Sequence, residues 1–201
     1  ESDHPGLRID DVTVPGENPP AVGFYEIPGG VQAMGVRKAG NYAYLAAADG
    51  LYIVDVTVPA NPVLAAKWGP GGKAARAVDD KEGYAYIAYA NALAILDVND
   101  PANPELAAQY DMGGDCVDVE VIGPYAYVLA EGSLRVLDVR DPRHPVLAAQ
   151  KDGVTYGAGY VTASPPYVFT NSTGLYAFRF TGITPPSVTS VVQASSPFRL
   201  R

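Results

Sequence analysis

The chain has 201 residues, of which 48% are hydrophobic and 18% charged, and its formal net charge is −8. This acidic, thinly charged composition argues against binding to nucleic acids or anionic lipid, since both require a basic surface. No apolar stretch approaches the roughly 18 residues of a membrane-spanning helix. The length favours one domain, and 21 glycines and 18 prolines suit short strands joined by tight turns.

The start of the chain and its single cysteine bear on where the protein works. The sequence begins Glu1-Ser2-Asp3 without methionine, which we interpret as a processed chain whose signal peptide has been removed. A segment cut at a domain boundary is the alternative interpretation. We therefore expect a secreted or cell-surface protein. Cys116 is the only cysteine, so no disulfide can form within the chain.

One six-residue phrase, Leu-x-(Ile/Val)-x-Asp-Val, recurs along the chain. It occupies residues 7–12, 51–56, 93–98 and 134–139, with a degenerate copy at 175–180. Its aspartate position holds Asp11, Asp55, Asp97 and Asp138, followed by Arg179, at successive steps of 44, 42, 41 and 41 residues. A period near 40 residues indicates an array of supersecondary units that bury their faces against one another.

The predicted strands follow in chain order. Residues 7–12 and 21–27 form the two strands of an incomplete unit. The next unit contains four strands, which we call a to d: residues 31–36, 41–47, 51–56 and 63–68. Glycine or proline lies in each gap, aromatic residues alternate in strand b, and no window has helical periodicity. Three similar units follow, the last ending in a strand at residues 187–193.

This pattern predicts an all-β fold, a β-propeller of four full four-stranded blades preceded by half a blade. The predicted blades cover about residues 31–72, 73–114, 115–153 and 154–194, all within a single domain. The half-blade, residues 7–27, supplies only the strand c–d hairpin.

The repeated phrase resembles a known sequence family. LYIVDV at 51–56 and LAILDV at 93–98, each followed by PANP, are similar to the LVIVD repeat. The resemblance implies a bacterial or archaeal surface or secreted propeller, and it implies nothing about chemistry. The last copy departs from the pattern, because Arg179 replaces the aspartate and Phe180 the valine.

The half-blade lacks strands a and b, and this leaves an unpaired edge. Three interpretations stay open. The half-blade packs as a partial fifth blade, or it pairs with a neighbouring subunit by strand addition, or the chain is a fragment of a longer propeller. The residues of the predicted assembly edge are Leu7, Ile9, Val12, Val22, Phe24 and Ile27.

Candidate chemistry is sparse. The repeated aspartates are expected to cap turns rather than bind metal, because they lie in separate blades. His144 occupies a turn position that Asn61 and Asn103 hold elsewhere, and His4 lies in the N-terminal arm. Cys116 aligns with alanines and is expected to be a small buried residue. We predict no catalytic residue, metal or cofactor.

Two further sites are candidates. Strand a carries charges at Arg76, Asp115 and Asp118, which could line an axial channel and bind a ligand. Asn171 begins an Asn-Ser-Thr sequon that a glycan could occupy in a secreted chain.

The function predicted from these features is a non-enzymatic extracellular scaffold. Its expected partners are copies of itself, joined head to tail by strand addition into a ring or filament, or another surface protein. A ligand-binding or enzymatic propeller that uses the axial channel is the alternative.

Overall fold

The computed structural model describes residues 5–13, 19–154, 159–171, 175–181 and 187–194. The described residues form eighteen strands in one two-stranded and four four-stranded antiparallel sheets. The all-β prediction is therefore confirmed, and so is the division into four full blades and one half-blade.

The N-terminal hairpin comprises β1 (Gly6–Asp10) and β2 (Ala21–Glu26). Blade 1 comprises β3 (Ala33–Ala39), β4 (Tyr42–Ala47), β5 (Gly50–Asp55) and β6 (Val63–Trp68). Blade 2 comprises β7 (Ala75–Lys81), β8 (Tyr84–Tyr89), β9 (Ala92–Asp97) and β10 (Glu105–Asp111). Blade 3 comprises β11 (Cys116–Ile122), β12 (Tyr125–Ala130), β13 (Ser133–Asp138) and β14 (Val146–Asp152). Blade 4 comprises β15 (Tyr160–Ser164), β16 (Tyr167–Asn171), β17 (Leu175–Thr181) and β18 (Ser187–Ala194).

Every full blade has the same strand order, first to fourth, with each strand paired to the next in sequence. The pairing irregularities repeat as well. In blades 1 to 3, the first strand has a bulge near its start, at Ala33/Gly35, Ala75/Ala77 and Cys116/Asp118. Because a bulge re-aims the side chains that follow it, all three inner strands present their later residues to the next blade in the same way.

The first strands of the blades are the inner strands, and they are close neighbours in chain order: β3 with β7, β7 with β11, and β11 with β15. Among the described strands, no contact of that extent joins β15 back to β3. The described blades therefore form an open array with two ends.

The core lies between successive blades. Between blades 1 and 2, Leu51 and Ile53 of β5 pack with Ala94 and Leu96 of β9. Equivalent clusters fill the spaces between blades 2 and 3 and between blades 3 and 4. The tyrosine of the second strand joins each cluster and is almost completely buried, at Tyr44, Tyr86 and Tyr127. Each interface thus buries a repeated apolar face, which is what the alternation in the sequence predicted.

The N-terminal hairpin packs against blade 1 as a partial blade. Its residues Leu7, Tyr25 and Ile27 contact a buried cluster that includes Leu45 and Tyr52 of blade 1. Gly23 approaches the turn after β5 so closely that a Cβ atom would collide with the carbonyl oxygen of Pro59. The glycine is therefore required for this packing. A single 3₁₀ turn, Pro28–Gly30, follows the hairpin. In the described ranges, no helix has the length and apolar character needed to cross a bilayer.

Candidate interaction site at the open ends of the blade array

The exposed fraction of the valine in the middle of each inner strand shows how completely that face of its blade is covered. Val78, Val119 and Val161 are 8%, 5% and 6% exposed, because each packs under the preceding blade. Val36 occupies the same position in β3 and is 60% exposed. The blade-1 face beside the N-terminal hairpin is therefore only partly covered.

An apolar groove of about 150 Å³ lies at this position, between β1 and the inner part of blade 1. We call it the N-terminal groove. It is lined by Leu7, Ile9, Val36, Lys38, Ala43, Val56 and Pro59. In a complete blade, strands a and b would occupy this space, and the described part of the N-terminal hairpin has neither.

Lys38 supplies the positive charge of the groove. Its Nζ donates a hydrogen bond of 2.7 Å to the backbone carbonyl of Gly40, and the side chain also lines the groove. In the next blades, the equivalent positions are Asp80, Val121 and Ala163, judged by their pairing with the second strand. The N-terminal groove therefore combines apolar walls with one ammonium group at its inner rim.

Carboxylates on the inner strands accept hydrogen bonds from the backbone of the next inner strand, and we call this contact between blades the carboxylate clasp. Asp79 Oδ2 of β7 accepts a hydrogen bond of 2.7 Å from the backbone N–H of Val121 in β11. One repeat later, Glu120 accepts from the backbone N–H of Ala163 in β15. Asp118 Oδ2 accepts from Val161 N–H at 2.8 Å. Each carboxylate accepts a hydrogen bond from an outward N–H group of the neighbouring inner strand. A buried N–H group that has no acceptor costs free energy.

The clasp has a different form at blade 1. Arg37 occupies the position of Asp79 and Glu120, and its Nε lies 3.0 Å from Asp79 Oδ1 and 2.8 Å from Asp80 Oδ1. The ion pairs with Asp80 and Asp79 raise the pKa of the Arg37 guanidinium. Blade 1 is thus joined to blade 2 by an ion pair, while later blades are joined by carboxylate-to-backbone hydrogen bonds.

Asp118 is the most electrostatically perturbed carboxylate of the inner strands. Burial raises its pKa to about 6, and the nearby charges of Glu120 and Asp79 act in the same direction. The hydrogen bonds from Val161 and Val119 oppose the shift without cancelling it. Desolvation therefore dominates over hydrogen bonding at this carboxylate.

The three residues predicted to line an axial site do not form one cluster of contacts. Arg76 Nη2 lies 3.8 Å from Asp115 Oδ2, and both side chains are largely exposed. Asp118 is instead engaged by the backbone of blade 4. Within the described residues, no three His, Cys, Asp or Glu side chains are grouped closely enough to hold a metal ion.

The predicted assembly-edge residues divide between two faces of the N-terminal hairpin. Leu7 and Ile9 point toward blade 1, and Ile27 is completely buried there. Val22, Phe24 and Val12 are 39%, 43% and 82% exposed. The outer face of the hairpin also carries an ion pair in which Arg8 Nε lies 2.7 Å from Asp10 Oδ1.

At the opposite end of the array, the outer face of blade 4 is uncovered. Tyr160 is 74% exposed, Tyr167 is 45% exposed, and Thr162 and Asn171 are also exposed. Phe169, on the same face, aligns with the buried Tyr44, Tyr86 and Tyr127. Sequence reasoning missed this face, although the change from Leu129 to Asn171 at one repeat position was a signal in the sequence.

The repeated aspartates are placed in turns, as expected. Asp55, Asp97 and Asp138 each accept a hydrogen bond from the backbone N–H two residues later, at 2.8, 3.2 and 3.1 Å. The pKa of each carboxyl group is lowered, at Asp55 and Asp138 chiefly by the side-chain hydrogen bonds from Thr57 and Arg140 and at Asp97 chiefly by the backbone hydrogen bond from Asn99. Asp97 also accepts from Arg143 Nη2 at 2.8 Å, which links the turns of blades 2 and 3.

The other candidate residues named from the sequence, His144, Cys116 and Asn171, have contacts typical of structural residues. His144 Nδ1 lies 2.7 Å from Asp141 Oδ2, in the same arrangement as Asn103 with Asp100. Cys116 is completely buried, and that burial raises the pKa of its thiol to about 12. Asn171 is the last residue of β16, and its Oδ1 accepts from Tyr160 N–H at 2.7 Å. Residues 172–173 of the sequon and His4 lie outside the described residues.

Sheets arranged as blades around neighbouring inner strands define the class of this molecule, a repeat β-propeller domain. The model of the LVIVD repeat matches residues 30–68, 71–112 and 113–152, which is more than half of the chain. The chain belongs to the LVIVD repeat family. A search of curated proteins finds no match.

Solved structures share the fold at low sequence identity. A functionally unknown protein from Desulfotomaculum acetoxidans is 14% identical, with a TM-score of 0.72 over 92% of this chain and 62% of that one. The computationally designed Ika8 protein is 10% identical, with a TM-score of 0.60 over 74% of this chain and 46% of that one. The N-terminal domain of Nup159 is 15% identical, with a TM-score of 0.55 over 85% and 49%. The chain thus spans about half to three fifths of the length of these three structures, and the likeness concerns the fold alone.

Proposed function

We propose that this chain is a non-enzymatic, extracellular propeller module that acts as an interaction scaffold and self-associates head to tail. The observation that carries the proposal is that both ends of the blade array leave uncovered the face that every internal blade buries. Large exposed apolar surface in a protein commonly marks a contact with another protein.

The two ends differ, and this favours a head-to-tail arrangement. The outer face of the N-terminal hairpin presents Val22 and Phe24 beside the Arg8–Asp10 pair. The outer face of blade 4 presents Tyr160 and Tyr167. A contact between two unlike faces is heterologous, so it either closes into a ring or continues as a filament.

The absence of catalysis is proposed from the way the inner carboxylates are used. Of the charged residues predicted to line an axial site, Arg76 Nη2 and Asp115 Oδ2 pair with each other at 3.8 Å. Asp118 accepts a backbone hydrogen bond from the neighbouring inner strand, as do Asp79 and Glu120. Their position is explained by the joining of blades, which requires no substrate.

Exposure of the native protein to protease on intact cells tests the extracellular part of the proposal, and complete protection would contradict it.

Self-association is tested by blocking one end at a time. Phe24→Glu places a carboxylate on the hairpin end, and Tyr160→Glu places one on the blade-4 end. We expect each variant alone to have the monomer mass in light scattering, because a charge buried in the contact is unfavourable. A mixture of the two variants keeps one intact pair of ends and should form dimers that do not grow further.

The matched control is Val146→Glu, since Val146 is 61% exposed at the start of β14 in blade 3 and lies at neither end. This control should assemble like the wild type. Head-to-tail association is wrong if the mixture remains monomeric, or if all three variants have the same mass distribution as the wild type.

A further inference from the structure

We propose that a cleft between blades 2 and 3 binds one ring of a sugar acid, a small ligand with a single carboxylate and several hydroxyl groups. The cleft has a volume of about 220 Å³ and opens among the turns of these two blades. Both blades lie inside the array, between blades 1 and 4. The proposal therefore goes beyond the contacts at the ends of the array, and it does not rest on self-association.

The wall from blade 2 carries an ammonium group and a carboxylate. Lys81 is the last residue of β7, and Glu82 lies in the turn that follows it. Lys81 Nζ donates a hydrogen bond to the backbone carbonyl of Gly123 in blade 3, and it lies 3.6 Å from Glu82 Oε1. The hydrogen bond to Gly123 bridges the two blades, so it holds the ammonium group at the cleft.

The wall from blade 3 supplies a guanidinium group that is already fixed in place. Arg140 follows β13, and its Nε lies 3.1 and 3.0 Å from the two carboxylate oxygens of Asp138. The hydrogen bonds with Asp138 raise the pKa of the Arg140 side chain. Because a guanidinium group has five N–H donors, it can hold Asp138 and donate to a ligand at the same time. Pro124 and Pro142 form the apolar part of this wall.

The charges of the cleft suit a ligand with one negative charge. Each cation already has one carboxylate neighbour, Glu82 for Lys81 and Asp138 for Arg140. A single ligand carboxylate can accept hydrogen bonds from both cations, and such charge-assisted bonds are strong. A phosphate with two negative charges would be repelled more strongly by the neighbouring carboxylates. The cleft therefore favours a carboxylate over a phosphate.

The two cations belong to this cleft rather than to the repeat. Ala39 and Ile122 are the equivalents of Lys81 in blades 1 and 3, because each pairs with the first tyrosine of the second strand. Asn99 is the equivalent of Arg140 in blade 2, since each lies two residues after the turn aspartate. The packing of blades therefore does not require these positive charges.

Glu82 has a backbone conformation that side chains rarely adopt. Its φ is 50°, and glycines hold the equivalent turn positions, Gly40 with a φ of 54° and Gly123 with a φ of 57°. Glycine adopts such angles without strain, whereas a residue with a Cβ atom is strained there. Packing does not account for the glutamate, because its side chain is 81% exposed. Strained residues cluster at binding sites, and the Glu82 side chain lines the cleft.

Glu82 and Tyr86 favour hydroxyl groups on the ligand. An ionised carboxylate only accepts hydrogen bonds, so Glu82 needs a donor from the ligand. A ligand ammonium group would be repelled by Lys81, whereas a hydroxyl group would not. Tyr86 is 1% exposed and lines the cleft, and burial raises the pKa of its hydroxyl group to about 12, so that it remains a donor. Tyr84 adds an apolar wall against which a ring can pack.

The test follows the backbone amide resonances of the isotope-labelled full chain while D-glucuronate is added. We expect saturable changes at Glu82 and Gly83. D-glucose lacks the carboxylate and cyclohexanecarboxylate lacks the hydroxyl groups, so each should bind at least about tenfold more weakly. A disaccharide that ends in glucuronate distinguishes the two sources of the ring. If it binds as tightly as the monosaccharide, the ligand is the end of an acidic polysaccharide, and if it does not bind, the ligand is a free sugar acid.

Two variants remove the cations by taking the residues of other blades. Lys81→Ala takes the residue of blade 1, and Arg140→Asn takes the residue of blade 2, so both should fold. Each should weaken glucuronate binding by at least about tenfold, because a charge-assisted hydrogen bond is lost. Lys38→Ala is the matched control, since Lys38 also donates to a glycine carbonyl, that of Gly40, but lies in the N-terminal groove. It should bind glucuronate as the wild type does.

A third variant separates binding from folding. Glu82→Gly takes the residue of blades 1 and 3, and it should weaken glucuronate binding by at least about tenfold because a ligand hydroxyl group loses its acceptor. The same variant should raise the midpoint of thermal unfolding by about 1–4 °C, because glycine relieves the backbone strain. A structural role for Glu82 would instead lower the midpoint.

The outcomes decide the assignment. Saturable binding of glucuronate that Lys81→Ala weakens and Lys38→Ala leaves unchanged would support it. It is overturned if no saturable change occurs up to about 10 mM ligand, where affinity on the millimolar scale would be detected. Equal binding of glucuronate and glucose would show that the cations take no part, and equal binding of glucuronate and cyclohexanecarboxylate would show that the hydroxyl groups take none. Either result would contradict a sugar acid as the ligand.

Discussion

Blades 2 and 4 have the same strand order but different surroundings. On the face of blade 2 toward blade 3, Tyr86 and Ala88 are buried. On the equivalent face of blade 4, Phe169 is half-buried and Asn171 is exposed. The strand plan is therefore set inside each blade, whereas burial of a blade face depends on its neighbour. Identical repeat positions should accordingly respond very differently to the same substitution.

The sharpest form of this comparison places the same charge at two equivalent valines. Val78→Glu buries an unpaired carboxylate between blades 1 and 2, and we expect it to lower the free energy of unfolding by about 3–5 kcal/mol. Val36→Glu occupies the equivalent but uncovered position and should change it by less than about 0.5 kcal/mol. Urea denaturation of both variants measures the difference. Similar losses of unfolding free energy in the two variants would mean that the face of blade 1 around Val36 is covered.

A second prediction concerns the core between blades 2 and 3, to which β9 of blade 2 contributes Ile95. Ile95 is completely buried, and Ile95→Ala should cost about 2–5 kcal/mol, because it removes apolar contacts and leaves a cavity. Leu106→Ala is the matched control, since Leu106 lies on the adjacent strand and is 48% exposed. The control should change stability by less than about 0.5 kcal/mol. A loss below that value at Ile95 would contradict the assignment of β9 to the core.

The sequence predicted the strand plan better than the contacts between blades. Strand β6 begins and ends at the predicted residues, 63–68, because its limits are marked by proline and glycine. Strand β3 runs to Ala39, three residues beyond the prediction, because the charged Arg37 and Lys38 conceal the strand pattern. Arg37 is accommodated there because it pairs across blades with Asp79 and Asp80, and Lys38 because it donates a hydrogen bond to the carbonyl of Gly40.

The candidate site was only partly predictable for the same reason. Asp118 was singled out by its unusual charge on an inner strand, but Asp79 was not, although it aligns with Glu120 in the repeat. Its contact with Val121 depends on how two sheets are rotated relative to each other, and alternation within a strand does not contain that information. The N-terminal groove was hidden because Val36 has the same character as its buried equivalents.

A third prediction tests the carboxylate clasp. Asp79 is 5% exposed, and Asp79→Ala leaves the backbone N–H of Val121 without its acceptor. We expect a loss of about 1–3 kcal/mol, the range for an unsatisfied buried donor. Asp115→Ala, at the exposed start of the next inner strand, is the control and should be close to neutral. Equal effects would mean that the clasp contributes nothing to joining the blades.

The smallest expected effect is a dependence on pH at Asp118. Burial raises its pKa in the folded state to about 6, above the value for an exposed aspartate. The folded state therefore favours the protonated form, and the stability associated with it is fully present at low pH and is lost as pH rises through about 6. Asp118→Asn keeps the acceptor for Val161 but cannot titrate.

The corresponding measurement compares unfolding free energies of wild type and Asp118→Asn across this interval. The wild type should lose stability relative to the variant between about pH 4 and pH 7. Taking the difference between the two proteins cancels the titration of the turn aspartates, whose pKa values are lowered and whose effect has the opposite sign. A difference that does not change with pH would show that Asp118 is solvated like an ordinary surface carboxylate.

The mass of the intact chain in solution tests the central claim most directly, namely that the uncovered ends of the blade array are interaction surfaces. Light scattering over a concentration series from about 1 to 100 μM covers the range in which modest protein contacts form. The account predicts a mass that rises with concentration in multiples of the monomer, and a return to the monomer when Phe24→Glu blocks the hairpin end. A monomer mass at every concentration would contradict self-association through these ends.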